Sequence, residues 1–183
     1  MGLAHELGKT IGHALAPVRA GDEGLASRVL AVLDRRTLGV TSSAFTDGGS
    51  LPLAFTADSD QPVAPPIAWN NVPAGTRSMV LVAEDPDAPT PKPFVHWLVY
   101  GIPTSVSSLQ GAQRLEGKNS MFAEGFTPAA PPAGHGMHHY HFQIFALDAA
   151  IDLERGAGRG ALLEAVRGHV LAWGEIVGTY ERS

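Results

Sequence analysis

The sequence predicts a mostly β fold preceded by a short helical segment. Two hydrophobic runs, SMVLVAE (78–84) and FVHWLVY (94–100), and a third, MHHYHFQIFALD (137–148), have the length and the β-branched and aromatic content of strands. The first two are apolar on both faces, as in central strands that are covered on two sides. Near the end, ALLEAVRGHVLAW (161–173) predicts one helix, and EIVGTYER (175–182) a last strand.

Residues 1–35 differ in pattern from residues 36–183, and we interpret them as an N-terminal helical extension ahead of one domain. Its apolar stripe recurs every four residues and consists of Leu3, Leu7, Ile11 and Leu15. Asp22 is a candidate cap for a second helix. An exposed stripe of this kind is unusual on a monomer. We therefore expect the stripe to cover the domain or a twin subunit, and we favour a homodimer.

Composition and charge exclude several classes of function. The 183 residues carry a net charge of −5, which argues against general nucleic-acid binding, and no cysteine for disulfides or thiolate metal sites. No apolar run approaches the ~20 residues that span a bilayer. Glu6 and Lys9 interrupt the stretch in which a signal peptide would be apolar. We expect a soluble, cytoplasmic protein.

Polar side chains are concentrated where the predicted strands begin or end. Asp85 follows the first run on the face of Ala83. In the second run, alternation places four residues on one face: Phe94, His96, Leu98 and Tyr100. In the third run, it places His138 and Tyr140 on the mostly apolar face and turns His139 and His141 outward to solvent.

The segment FTPAAPPAGHG (126–136) leads into the third run. Pro131 and Pro132 have no N–H group, so the candidate amide donors are Ala129, Ala130, Ala133 and Gly134. Exposed amides beside imidazole and phenol groups suit a small oxyanion. We expect Asp85 to orient a histidine at this site.

The same residues could support two chemistries other than anion binding. His135 and His138, with Asp85 and His96, could hold zinc, but their spacing fits no known ligand motif, and a strand start does not place the first two on one face. We therefore predict no metal and no other cofactor. An Asp–His pair with a tyrosine can also perform acid–base catalysis. Because no nucleophile is evident, an enzyme remains the alternative to a binding protein.

The motifs DPDAPTPKPFVHW (85–97) and PPAGHGMHHYHFQIFALD (131–148) together resemble the phosphatidylethanolamine-binding protein family, in its bacterial Raf-kinase-inhibitor-like branch. The resemblance covers roughly residues 36–183. It implies a β-sandwich of antiparallel sheets with a C-terminal helix, and a small pocket for phosphate, phospholipid head groups or carboxylates. A further alternative is a regulator that binds a protein partner, such as a kinase or protease, through the pocket rim.

The resemblance implies a specific set of ligand-binding residues. By motif position these are Asp85, His96, Ala130, Pro132, His138 and Tyr140. The sequence departs from the family where a tyrosine and a glycine are usual, since it has Phe126 and Pro128 there. Phe94 could supply the aromatic group usual near the first histidine.

The prolines after Asp85 suggest a rigid pocket rim. The cis form of a bond before proline costs only about 0.5–1 kcal/mol. We expect one cis bond within residues 85–93, between Ala88 and Pro89.

Overall fold

A five-stranded antiparallel sheet forms the centre of the protein in the computed structural model, which describes residues 2–182. The helices are α1 (Gly2–Leu15), α2 (Ala26–Val29) and α3 (Arg159–Val166). The strands are β1 (Gly39–Thr41), β2 (Ala68–Asn70), β3 (Ser78–Asp85), β4 (Phe94–Ile102), β5 (Leu115–Glu116), β6 (His138–Leu147) and β7 (Val170–Tyr180). Single 3-10 turns lie at Asp22–Gly24, Leu33–Arg35 and Leu53–Phe55.

The strand order of the large sheet is β5-β4-β3-β6-β7. The three long hydrophobic runs are therefore neighbours, with β3 between β4 and β6. β1 and β2 form a second, two-stranded antiparallel sheet. The core between the two layers takes its second side from Phe45, Leu51, Phe55, Ile67 and Trp69. The predicted mostly β sandwich of antiparallel sheets is confirmed.

The other face of the large sheet is also buried. Leu162, Leu163 and Val166 of α3 pack there, beside Ala26, Leu30 and Val32. All eight residues of β3 are buried as a result. As predicted, both faces of this strand are apolar because other parts of the protein pack on both of them.

A buried polar cluster fastens the N-terminal segment to this second face. Glu84 is 0% exposed, and its Oε2 accepts hydrogen bonds from the Ala26 amide (2.8 Å) and the Gln143 side chain (2.9 Å). Its Oε1 pairs with Arg159. Gln143 in turn accepts a hydrogen bond from the Ser27 amide at 2.9 Å. Residues 26–32 therefore pack on the central sheet, and a domain boundary at residue 36 stays a prediction.

Helix α1 packs on the domain through its small residues. A Cβ atom on Gly12 would lie 1.9 Å from the Ala133 carbonyl oxygen, so the close approach requires glycine there. Leu7 and Ile11 are 62% and 52% exposed, so this part of the stripe does not cover the domain. The side chain of Leu3 lies outside the described residues. No helix among residues 2–182 is both long and apolar enough to cross a membrane.

Two helix predictions were wrong in extent. The predicted helix at 161–173 ends at Val166, because Gly168 adopts a φ of 81° and the chain turns into β7 at Val170. Asp22 starts a 3-10 turn, and it caps no α-helix, since the N-cap of α2 is Leu25 and makes no side-chain hydrogen bond.

The prediction of a cis proline bond was wrong, since every peptide bond among residues 85–93 is trans. The turn is fixed by other means. Asp85 Oδ1 accepts a hydrogen bond from the Asp87 amide at 2.8 Å. The carbonyls of Pro86 and Ala88 accept hydrogen bonds from the amides of Gly21 and Ala20. These contacts hold the rim without an isomerised bond.

Candidate functional site

A cavity of about 380 Å³ opens where β3 ends and β4 and β6 begin. Five of the six predicted site residues line it: Asp85, His96, Ala130, Pro132 and His138. Most of the remaining wall is apolar and includes Ala57, Ala88, Pro89, Phe94, Met121 and Pro128. The sixth residue, Tyr140, lies behind His96 with its ring edge-on at 5.1 Å between centroids.

A β-bulge directs His96 toward the cavity. Ala83 pairs with Trp97 and Glu84 pairs with Val95, so His96 is the extra residue between them. The alternation therefore reverses at this point. Leu98 and Tyr100 lie on the face covered by α3, although the sequence predicts that they share a face with His96.

The bulge also determines the hydrogen bonding of His96. Its Nδ1 lies 2.7 Å from the Thr127 carbonyl oxygen and donates to it, which leaves Nε2 as the ring nitrogen available to the cavity. Burial lowers the pKa of His96. The hydrogen bond to the Thr127 carbonyl and the charge of Asp85 raise this pKa, but by less. The neutral ring that results presents an acceptor, Nε2, unless a ligand favours the charged form.

Tyr140 has a buried hydroxyl without a partner. The residue is 3% exposed, and its Oη makes no hydrogen bond among the described residues. Burial, together with the nearby charge of Asp85, raises the pKa of the phenol far above its ordinary value. Tyr140 therefore remains protonated and can donate a hydrogen bond.

His138 uses both ring nitrogens inside the protein. Its Nδ1 lies 2.7 Å from Asp85 Oδ2, and its Nε2 lies 2.7 Å from Nδ1 of His135. Nε2 of His135 lies 2.9 Å from the carbonyl oxygen of Leu15, at the end of α1. Asp85, His138 and His135 are 3%, 1% and 1% exposed. Asp85 therefore orients a histidine, and that histidine is His138, whereas the sequence also suggested His96 for this pairing.

The loop before β6 forms the opposite wall. The Ala129 amide donates to the Phe55 carbonyl, and the Ala129 carbonyl accepts from the Ala57 amide. The N–H of Ala129 is therefore not available to the cavity. The amide of Ala130, which is exposed, has no hydrogen-bond partner among the described residues. Pro128 lines the cavity, and Phe126 packs edge-on against Trp97 with centroids 5.7 Å apart. Phe94 lies 4.8 Å from His96, the place expected for the aromatic neighbour.

Comparison with known proteins agrees with this geometry. Residues 41–181 match the family described as phosphatidylethanolamine-binding protein. The chain belongs to this family. A UPF0098 protein of Methanothermobacter thermautotrophicus is 36% identical over 154 residues, which cover 79% of this chain and 99% of that protein.

Two solved structures of the same family share the fold. A phosphatidylethanolamine-binding protein homologue from Chlamydia trachomatis is 35% identical, with a TM-score of 0.74, over 81% of this chain and 99% of that one. The YbcL protein of E. coli, described as a member of the mammalian family, is 28% identical, with a TM-score of 0.72. The match covers 80% of this chain and 99% of that one.

Charged groups surround the rim of the pocket. Asp87 pairs with Arg19 and accepts hydrogen bonds from the amide and ring of His139, both at 2.7 Å. Partial burial would raise the pKa of Asp87, but the hydrogen bonds from His139 and Arg19 outweigh it and lower the pKa. Asp87 therefore stays ionised and ties the rim to the N-terminal segment.

The outward histidines of β6 differ from each other. His139 is solvent-exposed, as predicted, with 48% of its side chain accessible. His141 has only 15% of its side chain accessible, because residues 25–36 cover that face, and it pairs with Glu175 at 3.0 Å. The prediction that His141 faces solvent was wrong for this reason.

His135 is the pocket residue whose role sequence reasoning missed. The sequence marks it only as a possible zinc ligand and does not predict its contact with His138. Gly134 and Gly136 adopt positive φ, and the His135 amide bonds back to the Pro132 carbonyl, so a tight turn brings the two imidazoles together. The glycines on both sides of His135 were the available signal. Among the side chains that the structure describes, those of residues 6–182, no group of three is arranged to hold a metal ion.

Proposed function

We propose that the pocket binds a small anion, which is phosphate, a phospholipid head group or a carboxylate. The observation that carries the proposal is the unpaired hydroxyl of Tyr140, which is buried next to His96, a residue of the cavity wall. An unpaired buried hydroxyl costs free energy, which a hydrogen bond to a ligand would recover. The free amide of Ala130 supplies a second donor, and His96 supplies a third when it takes up a proton.

The remaining predicted residues have supporting roles in this proposal. Asp85 and His138 hydrogen-bond to each other, so neither has a donor to spare for the ligand. Pro132 shapes the wall near Ala130. The apolar lining accommodates the carbon atoms of an organic phosphate or carboxylate, while the donors bind its oxygens.

A pair of tyrosine variants tests the proposal. Tyr140→Phe removes the hydroxyl and keeps the ring, so sulfate affinity in calorimetric titration is expected to fall by about tenfold, the value of one lost hydrogen bond to a charged group. Tyr100→Phe is the matched control, because that hydroxyl bonds to the Glu154 carbonyl on the far face of the sheet. Equal affinities for Tyr140→Phe and the wild type would contradict the proposal.

We also propose that the chain forms a homodimer through the outward stripe of α1. The exposure of Leu7 and Ile11 supports this. Light scattering of the double variant Leu7→Ser/Ile11→Ser should give half the wild-type mass. Val63→Ser, another exposed apolar residue, should not change the mass. A monomeric wild type would contradict the proposal. Regulation of a protein partner such as a kinase or protease stays a prediction.

A further inference from the structure

A buried relay connects the pocket to the N-terminal helix. It consists of the Asp85 carboxylate, the rings of His138 and His135, and the carbonyl of Leu15, joined by contacts of 2.7, 2.7 and 2.9 Å. All three distances are those of hydrogen bonds. Both ends of the relay are acceptors, because an ionised carboxylate and a peptide carbonyl carry no proton to donate.

The number of protons on the relay follows from these contacts. Three hydrogen bonds need three protons between the two acceptor ends, and all three must come from the imidazole rings. Two neutral imidazoles carry only two ring protons. The relay is therefore complete only with one additional proton. It belongs to the rings, since imidazole is a stronger base than carboxylate and Asp85 Oδ1 already accepts from the Asp87 amide.

We propose that His135 and His138 share this additional proton, and that it couples the docking of helix α1 to the pocket. His135 is then a positioning residue of the pocket, since it holds Nε2 of His138 while its own Nε2–H donates to the last turn of α1. A shared positive charge at that place also suits the negative end of the helix dipole. The coupling does not depend on which ligand the pocket binds.

Loss of the proton breaks the relay at a defined position. With two ring protons left, one of the three contacts must lack a hydrogen. A charge-assisted bond to a carboxylate is roughly twice as strong as a neutral one, so the bond from His138 to Asp85 is retained. The second proton stays between the rings, because two bare imidazole nitrogens 2.7 Å apart would repel each other more than a nitrogen and a carbonyl oxygen 2.9 Å apart. This leaves the lone pair of His135 Nε2 facing the Leu15 carbonyl. Two acceptors at 2.9 Å repel, and α1 loses its attachment there.

Few other charges face the relay. His96 and Tyr140 lie on its pocket side, Arg19 donates to the His135 carbonyl at 3.4 Å, and the ring of His13 lies beside Gly134. The Arg19 charge is paired with Asp87. The amide of Gly134 bonds to the Arg182 carbonyl, and the Arg182 side chain pairs with Asp58. None of these groups replaces the donor that the Leu15 carbonyl would lose.

Nitrogen NMR of the histidine rings in the full chain counts the protons directly. Between about pH 5.5 and about pH 9, the range in which histidines change charge, we expect three ring protons on the pair to become two in one shared step. Amide protection factors in α1 should fall by about tenfold in the same step, while those of the sheet stay constant. Two neutral rings beside a protected α1 throughout this range would overturn the proposal.

The variant Asp85→Asn distinguishes a shared proton from a purely structural role of His135. The amide of Asn can donate to Nδ1 of His138 and still accept from the Asp87 amide, so two neutral imidazoles complete the relay. The protection of α1 should then be independent of pH. Asp148→Asn is the matched control, since it changes an exposed Asp–His pair with His169 and should leave the wild-type pH dependence unchanged. A pH dependence that persists in Asp85→Asn would refute the coupling.

Coupling must act in both directions. Gly12→Ala displaces α1 from the Ala133 carbonyl and the His135 amide by steric contact, without changing the chemistry of either imidazole ring. Because the Leu15 acceptor then moves away, the pair should release its additional proton at lower pH than in the wild type. An unchanged histidine titration in a variant whose α1 amides are unprotected would contradict the shared proton.

Discussion

At the scale of single residues, His96 is the group whose charge a ligand can change. Its Nδ1–H is committed to the Thr127 carbonyl, so an added proton can only go to Nε2, on the cavity side. Burial lowers the pKa of the free ring. A bound anion has the opposite effect, since it stabilises the imidazolium.

This difference predicts that anion binding takes up a proton. Sulfate keeps its charge across the range, and its affinity should increase by about tenfold, or ~1.4 kcal/mol, as the pH falls from about 8 to about 5.5. Calorimetric titration of His96→Gln should show most of this dependence removed. His169→Gln, a change at an exposed histidine that pairs with Asp148, should retain it. An affinity independent of pH in the wild type would contradict this account.

The same lowered pKa predicts how the stability of the ligand-free protein changes with pH. The unfolded chain binds a proton at His96 below about pH 6.5, whereas the folded chain resists it, so this residue destabilises the fold as the pH falls through that value. Urea unfolding should therefore show a smaller loss of stability between pH 7 and pH 5 for His96→Gln than for the wild type. Equal losses would mean that the ring charges freely in the fold.

At the scale of elements, strand irregularities explain where alternation failed. β4 carries one bulge at His96 and a second irregularity near Gly101, whose φ is 64°. Each shifts the side chains by one residue, so a strict period of two describes only part of the strand. β6, which keeps a regular register over His138–Ala146 against β7, followed the predicted alternation.

The pairing of Glu84 with Arg159 joins three elements, β3, α3 and the segment before α2. Arg159→Met would leave a fully buried carboxylate with only the Ala26 amide and Gln143 as partners. We expect a loss of about 3 kcal/mol in the free energy of unfolding, measured with urea, because a buried charge without its partner is strongly destabilising. Arg155→Met, which removes a solvent-exposed pair with Glu124, should change it little. Similar losses in both variants would show that burial does not matter.

At the scale of the whole molecule, the sequence predicted the sandwich but not what covers its outer face. Continuous apolar runs indicate strands buried on two sides, and this held for β3. The partners on the outer face come from residues 26–32, whose apolar pattern resembles that of any short amphipathic segment. The polar atoms that fix them belong to Glu84 and Gln143, which are buried within the hydrophobic strands β3 and β6.

The pocket shows the same division between local and distant information. Asp85, His96 and His138 were predicted from motifs, because each motif is continuous in the chain. The backbone partners of His96 and His135 were not predicted, since no side-chain pattern marks the Thr127 and Leu15 carbonyls. His135 lies in a turn before β6 begins, so strand alternation does not predict where its ring points.

The position of His96 as the supernumerary residue of β4 has a genetic consequence. Without that residue, Val95 and Trp97 would follow each other opposite Glu84 and Ala83, and the strand pair would be regular at this point. Loss of a single codon would therefore remove the cavity histidine while leaving the sheet able to form. One insertion or deletion thus separates a sandwich that has the cavity histidine from one that lacks it. A lineage could therefore lose the site without losing the fold.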